Sequence, residues 1–411
     1  MRRIQWRAGA LVAAAASMML AVSACGSSGG SSAGGGTGNS SGSGLTKSEI
    51  RLGQIIDATG PLGAAVANAK SGVQAWAGWV NANGGLNGHP VKIFYADTQG
   101  TPAGGLTAVQ KLVEKDRVVA LFGLATNVAT STIMPYAERK NIPILSGLPG
   151  LSDNLATGVY ILGAPPALQG AIYAQAVHTL YPDTKKVAVM YCKESPGCAS
   201  IGSAFQSSAK TLGLEVAYTA AVSLSAPDYT AQVIAARDAG AQAVLVMLSS
   251  PGIVSFSQAS ARQGWNPHIF IPNNLNTSTT DISQIPHSVT LTEQTAAAVP
   301  WNVTDPSPQA KEYIAAVSQY ASGGSLGDAG WTNWVFGMML KQASAEFGET
   351  VTSADIVNAL VKLGTTDVGG LVAPVTWTAS GGDFGGNKCG FFQVLEAGKW
   401  RVSGVPKVCA S

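Results

Sequence analysis

The sequence predicts an α/β fold built on two parallel sheets. Short β-branched and apolar runs alternate with helix-length segments from Leu45 onward, which is the signature of β-α-β units. The alternation lapses near Gly163 and begins again beyond it, giving a second lobe. No repeat of about 20 to 50 residues interrupts this pattern, which argues against a solenoid or propeller. In order, IRLGQII at Ile50–Ile56 reads as the first strand. Asp57, Ala58, Thr59, Gly60 and Pro61 form a turn, and a helix follows on which Val73, Trp76, Ala77 and Val80 recur at i, i+3, i+4 and i+7. Asn83, Gly84 and Gly85 stop it, because glycine accepts the left-handed dihedrals of a helix end. Residues 91–96, 118–122 and 142–146 continue as strands, with helices near 103–115 and 128–140 between them. In the second lobe, strands are expected at 186–191, 214–218, 243–247 and 268–271. Residues 306–364 read as almost entirely helical, and the stretch from Leu371 as short strands and turns.

Composition narrows the function classes. Of 411 residues, 46% are hydrophobic and 12% charged, so the chain is globular and long enough for two or three domains. Setting aside Arg2, Arg3 and Arg7 of an acid-free leader, 22 basic side chains face 23 acidic ones. Nucleic acid is excluded as a partner, since phosphate binding needs a concentrated basic field.

The first 25 residues have export grammar: a basic start, an apolar run from Ala8 to Val22, and small residues ending at Cys25. The apolar run is shorter than the roughly 20 residues that span a bilayer, so it reads as a removable signal peptide over residues 1–24. Val22, Ser23, Ala24 and Cys25 resemble the lipobox of bacterial lipoproteins, in which the cysteine receives lipid and becomes the new N-terminus. The alternative is an ordinary secretory signal with a chance cysteine. Residues 26–44 are small and polar, a flexible tether spanning about 20 to 25 Å as a random coil. Without Cys25 four cysteines remain, and the most local of their three possible connectivities pairs Cys192 with Cys198 and Cys389 with Cys409. A zinc site is the sharper alternative, but the spacing and the absence of a nearby histidine speak against it.

Catalytic constellations are not found. The sequence has no H-E-x-x-H, no phosphate-loop signature and no nucleophile elbow on a strand. His89, His178, His268 and His287 have no ligand spacing and read as surface or capping imidazoles. Trp331 and Trp334, at i and i+3, are either a ligand platform or core. What remains is a binding architecture, in which loops at the carboxyl ends of parallel strands gather round a crevice and helices aim free N–H groups into it. Three such loops are Asp57 to Gly60, Gly123 to Asn127, and Gly147 to Gly150. In the second, Thr126, Asn127 and Thr130 open a helix and either bind an electron-rich ligand group or simply cap the helix.

At this point the residues resemble the leucine/isoleucine/valine-binding family of type I periplasmic solute-binding proteins. The matching pieces are Thr59, Gly60 and Pro61 after the first strand, NANGGLNG at 81–88 ahead of Tyr95, Ala96 and Asp97, the Gly123 loop, MPYAE at 134–138 before IPIL at 142–145, Trp331 with Thr332, and Val375, Thr376 and Trp377. The resemblance implies two doubly wound lobes joined by three hinge crossings, near residues 163–165, 300 and 371–374. The N-terminal lobe would hold 45–165 and 301–370, and the C-terminal lobe 166–300 and 371–411. It also implies a set of pocket positions. The hydroxyl-bearing contact after Gly123 falls on Asn127, and the next two contacts fall on Leu148 and Gly150. An aromatic contact falls near Ala65. In the second lobe another aromatic falls on Ser249 or Ser250, and the acid for an α-ammonium falls on Asn273 or Asn274. Losing that acid counts against a plain zwitterionic amino acid, because a buried ammonium without a carboxylate costs several kcal/mol. Asp57 or Asp153 would have to supply the charge; otherwise an amide or a small organic acid fits better. The Cys192 to Cys198 insertion lies where the family places a pocket contact.

The expected protein is therefore a monomeric, lipid-anchored solute-binding component of an ABC importer at the outer face of the cell membrane, free of cofactors and metals. A sensing subunit for a membrane partner is the alternative, and an extracytoplasmic enzyme a more distant one.

Overall fold

The central strands of each sheet, such as Ala120–Phe122 and Ala243–Val246, are buried on both faces. The computed structural model describes residues 47–59, 63–126, 128–147, 155–224, 226–272, 281–295, 297–381 and 385–410. The leader, Cys25 and the tether lie outside these. The first sheet is wholly parallel, with strand order β2-β1-β3-β4-β5, formed by β1 (Ile50–Ile56), β2 (Val91–Asp97), β3 (Ala120–Phe122), β4 (Ile144–Ser146) and β5 (Val159–Ile161). Alternation along the strands divides its core in two. Leu52 and Phe122 meet α1 (Gly63–Ala82), α8 (Pro308–Tyr320) and α9 (Asp328–Ala343), whereas Ile55 and Leu121 meet α2 (Pro102–Gln110) and α3 (Thr130–Arg139).

The second sheet has order β12-β11-β10-β9-β8-β6-β7. Its parallel part comprises β6 (Lys186–Cys192), β7 (Glu215–Val222), β8 (Ala243–Val246), β9 (His268–Pro272) and β10 (Thr290–Thr295). An antiparallel hairpin of β11 (Cys389–Glu396) and β12 (Lys399–Cys409) closes one edge. Helices α4 (Pro166–Leu180) and α5 (Pro196–Thr211) cover one face, and α6 (Thr230–Asp238) and α7 (Ser250–Arg262) the other. Disulfides join Cys192 to Cys198 and Cys389 to Cys409.

Several expectations need correction. The three-residue β5 and the polar strand β10 (TLTEQT) are additional. Strand β7 runs on to Val222, and the end of the chain is one long hairpin rather than short strands. The helical stretch after residue 306 is three α-helices, the last being α10 (Ser353–Lys362) with a Thr352–Asp355 capping box.

The crossings between lobes are laced together. Val299 N–H donates to the Leu371 carbonyl at 2.9 Å, and Asn387 Nδ2 donates to the Leu162 carbonyl at 2.6 Å. Leu371, Val372, Val375 and Trp377 still pack in the first core, with the Trp377 ring 5.5 Å from that of Tyr160. The third crossing therefore falls beyond Trp377, later than residues 371–374, because this apolar run is buried against α9. Val368, Gly369 and Gly370, just before that run, all have positive φ (53°, 71° and 84°). For a β-branched valine this conformation is strained, as at a segment held by its surroundings.

Candidate functional site

In the first lobe the loops after β1, β3 and β4 are built as one unit at the carboxyl end of the sheet. Strand β3 breaks at Gly123, where φ is 73° and a Cβ would lie 2.5 Å from Val73 Cγ2. Only glycine fits there. Beyond it the chain rejoins β1: Asp57 N–H donates to the Ala125 carbonyl at 3.1 Å, and Ala125 N–H to the Ile55 carbonyl at 3.0 Å. Gln54 Nε2, fully buried, donates to the Gly123 and Ala69 carbonyls at 2.9 and 3.1 Å. Helix α9 holds the third loop, since Gly147 N–H donates to Asn333 Oδ1 at 2.9 Å and a Cβ on Gly147 would sit 2.1 Å from the Thr332 carbonyl.

The expected site residues divide accordingly. Thr126 is buried, and its hydroxyl accepts from Ala129 N–H at 3.2 Å in the turn that precedes α3, whose own N-cap, Ala129, has no side-chain cap. Thr59 is committed elsewhere: its hydroxyl donates to Asp97 Oδ2 at 2.6 Å. Burial works against the Asp97 charge, but hydrogen bonds from the Thr59 side chain and from the Gln99, Thr59 and Ala58 backbones outweigh it and hold the carboxyl below its ordinary range. Asp57, directly after β1, is fully buried, and its Oδ1 accepts from the Thr98 hydroxyl; Oδ2 has no hydrogen-bond partner among the described residues. Asn127, Leu148, Gly150, Asp153, Asn273 and Asn274 lie outside the described residues, and nothing is said of the Ala65 side chain.

In the second lobe the loops after β6, β7 and β8 are tied to one another. Glu194, inside the Cys192–Cys198 loop, accepts from the Ser223 hydroxyl at 2.6 Å and from Leu224 N–H at 3.1 Å. The Ser223 hydroxyl, then the backbone groups of Glu194, Leu224 and Lys193, hold this exposed carboxyl below its usual range against slight desolvation. Ser249 Oγ lies 3.4 Å from the Leu224 carbonyl, and Ser250 opens α7. Sequence reasoning missed Glu194 and Asn333, because neither stands in a loop motif of its own.

Other candidates are structural. Trp331 and Trp334 are core: Trp331 Nε1 donates to the Val299 carbonyl at 2.8 Å, and the Trp334 ring lies 5.4 Å from Trp79. His89 is not at the surface but fully buried, with its ring nitrogens 2.7 and 2.8 Å from the Ser48 and Gly348 carbonyl oxygens. His268 is half-buried and stacked on Tyr181 at 3.5 Å, and burial pushes its pKa down. Among the described residues no cluster of three His, Cys, Asp or Glu could hold a metal ion, and no helix is long and apolar enough to cross a membrane. A cavity of about 340 Å³ opens at the carboxyl end of β1, between Ile56, Ala58, Val66, Ser71 and Ser325.

The chain matches the family described as periplasmic binding protein over residues 49–399. It is 26% identical over 190 residues to an amino acid binding protein of Pseudomonas aeruginosa, covering 43% of this chain and 50% of that one. It is also 26% identical over 201 residues to Leu/Ile/Val-binding protein homolog 3 of Brucella melitensis, covering 48% and 54%. The chain thus spans about half the length of these curated relatives. Its fold is that of the branched-chain amino acid transporter substrate binding protein LivJ from Streptococcus pneumoniae, solved with isoleucine: TM-score 0.68, 18% identity, 87% of this chain and 99% of that one. It is equally that of an ABC transporter solute binding protein from Rhodopseudomonas palustris, solved with 3,4-dihydroxybenzoic acid: TM-score 0.65, 14% identity, 88% and 98%. With the family model matched across both sheets, the chain belongs to the periplasmic binding protein family.

Proposed function

We propose that this protein is the extracytoplasmic solute-binding component of an ABC importer, held at the outer face of the cell membrane by lipid on Cys25 and working as a monomer on its permease. It captures a small polar solute, a branched-chain amino acid or a related amide or organic acid, between its two lobes. The observation that carries this reading is the pair of loop sets at the carboxyl ends of the sheets, one braced by α9 and the other by Glu194 and its disulfide loop. Both offer backbone N–H groups at helix starts, which suit a carboxylate. The relatives' ligands support that chemistry: isoleucine in one and a dihydroxybenzoic acid in the other both carry a carboxyl group. Asn127, Leu148, Gly150, Ser249, Ser250, Asn273 and Asn274 are proposed to line the cleft with Thr126.

A thermal-shift panel of amino acids, amides and aromatic acids on the purified protein tests this. One solute class is expected to raise the melting temperature, since ligand at 100 times its Kd stabilises by about 2.7 kcal/mol. A panel without a single shift removes the proposal. With the solute found, Asn127→Ala is expected to weaken binding about tenfold, the effect of one lost hydrogen bond, while the ligand-free melting temperature stays put. Wild-type affinity in that variant would take Asn127 out of the site.

A further inference from the structure

The Cys389–Cys409 disulfide stands where the third crossing enters the second sheet. The two cysteines face each other as the end pair of β11 and β12, and β12 is the edge strand. This end of the ladder has three pairs, Cys389 with Cys409, Gly390 with Val408 and Phe391 with Lys407; the register then shifts, and pairing resumes at Gln393 with Val402. On the other side β10 reaches only as far as Phe391. A short ladder cut off by an irregularity opens readily unless something else fastens it. Here the disulfide does so, with one further bond from Ala410 N–H to the Lys388 carbonyl at 2.8 Å. Cys409 is exposed and Cys389 half-buried, whereas Cys192 and Cys198 of the other disulfide are both buried. Reduction needs direct attack of a thiolate on sulfur, so access decides which bond breaks first. The segment fastened at Cys389 reaches the first lobe. Cys389 N–H donates to Asn387 Oδ1 at 3.0 Å, and Asn387, which is buried, donates from Nδ2 to the Leu162 carbonyl at 2.6 Å. Leu162 packs in the first core and Ala164 in a core of the second lobe, so Gly163 is the point where the first crossing passes between them. Leu162 N–H in turn donates to the Ser146 carbonyl at 3.2 Å, at the end of β4 and one residue before Gly147.

We propose that the Cys389–Cys409 disulfide is a redox-sensitive lock on the hinge: intact, it keeps Asn387 braced on Leu162 beside the first crossing, and reduced by a dithiol it releases that brace and loosens the end of β4. The chemistry is thiol–disulfide exchange. A thiolate of the dithiol attacks the exposed Cys409 Sγ, the S–S bond breaks, and its electron pair leaves on Cys389 Sγ, which takes a proton. The dithiol's second sulfur then closes on its first, and Cys409 departs as the second thiol. The protein disulfide has gained two electrons and two protons, and the dithiol has become a disulfide. Without the covalent tie the end pairs of β11 and β12 fray, and Asn387 loses the fixed N–H that holds its side chain toward Leu162.

The test uses dithiothreitol as the dithiol and needs no solute, so its failure is separate from a failure of the solute-binding reading. After graded treatment of the wild type, alkylation and mass mapping are expected to find Cys389 and Cys409 modified while Cys192 and Cys198 remain joined. In that state amide hydrogen exchange at Cys389 and Leu162 is expected to be faster by about tenfold or more, with Leu245 in the middle of the second sheet unchanged. The double variant Cys389→Ser, Cys409→Ser is expected to exchange fast at both amides without dithiothreitol and to change no further with it; if it does not fold, the wild-type titration carries the test. Asn387→Ala, with its disulfide intact, is expected to speed exchange at Leu162 to a similar degree. Reduction of Cys192–Cys198 first, unchanged exchange at Leu162 in the reduced wild type, or wild-type exchange at Leu162 in Asn387→Ala would overturn the lock.

Discussion

Gly72→Ala is expected to destabilise the protein by about 3 kcal/mol or more, although it adds one methyl group. Helices α1 and α9 cross with Gly72 against Gly330, and a Cβ on Gly72 would lie 2.3 Å from Gly330 Cα and 2.4 Å from its carbonyl oxygen. Backbone cannot yield as a flexible side chain can, so the helices must separate. That would also loosen Trp76, fully buried between Phe122 and Gly337. The melting temperature should fall by roughly 6 to 12 °C. Gly348→Ala is the control: a Cβ there meets nothing within 4 Å, and a change within about 0.5 kcal/mol is expected. If Gly72→Ala proves as mild as the control, the close crossing of α1 and α9 is wrong.

The second large effect concerns binding. Gly147 directly follows β4 and precedes Leu148 and Gly150 in the sequence, and α9 lies directly on it. Gly147→Ala forces that loop or α9 to move, and with it one wall of the proposed cleft. A displacement of about an ångström costs on the order of a hundredfold at a site that depends on position. Solute affinity is therefore expected to fall by about a hundredfold, measured by calorimetry with the solute the panel identifies. Affinity within twofold of wild type would show that α9 does not set the position of this loop.

The parts of the fold legible in the sequence are those whose burial is continuous. IRLGQII and AVLV are covered on both faces, so they stand out as apolar runs between polar turns. Strand β10 is hidden in the sequence because Thr292, Glu293, Gln294 and Thr295 are polar yet buried, with the Thr295 hydroxyl donating to the Ala298 carbonyl and Glu293 accepting from Gln393. Polarity normally marks a loop, and here it marks a hinge. The third crossing was placed too early for the opposite reason, since the apolar residues from Leu371 to Trp377 belong to the first core.

The sequence carries the chemistry of the candidate residues but not their geometry. Thr126 stands at a helix start as its type suggests, yet nothing in the sequence says that the Thr59 hydroxyl is taken by Asp97 or that Asp57 turns toward Thr98. Nor could spacing reveal that Asn333, nearly two hundred residues away in sequence, supplies the acceptor for Gly147. Such contacts arise from packing between helices and loops, which local residue patterns do not encode.

The central claim is that two lobes close on a solute, and scattering in solution measures that motion most directly. At constant pH, saturating the protein with the solute identified by thermal shift is expected to reduce its radius of gyration, because ligand favours the conformation in which both lobes contact it. A profile identical with and without that bound solute would contradict the account.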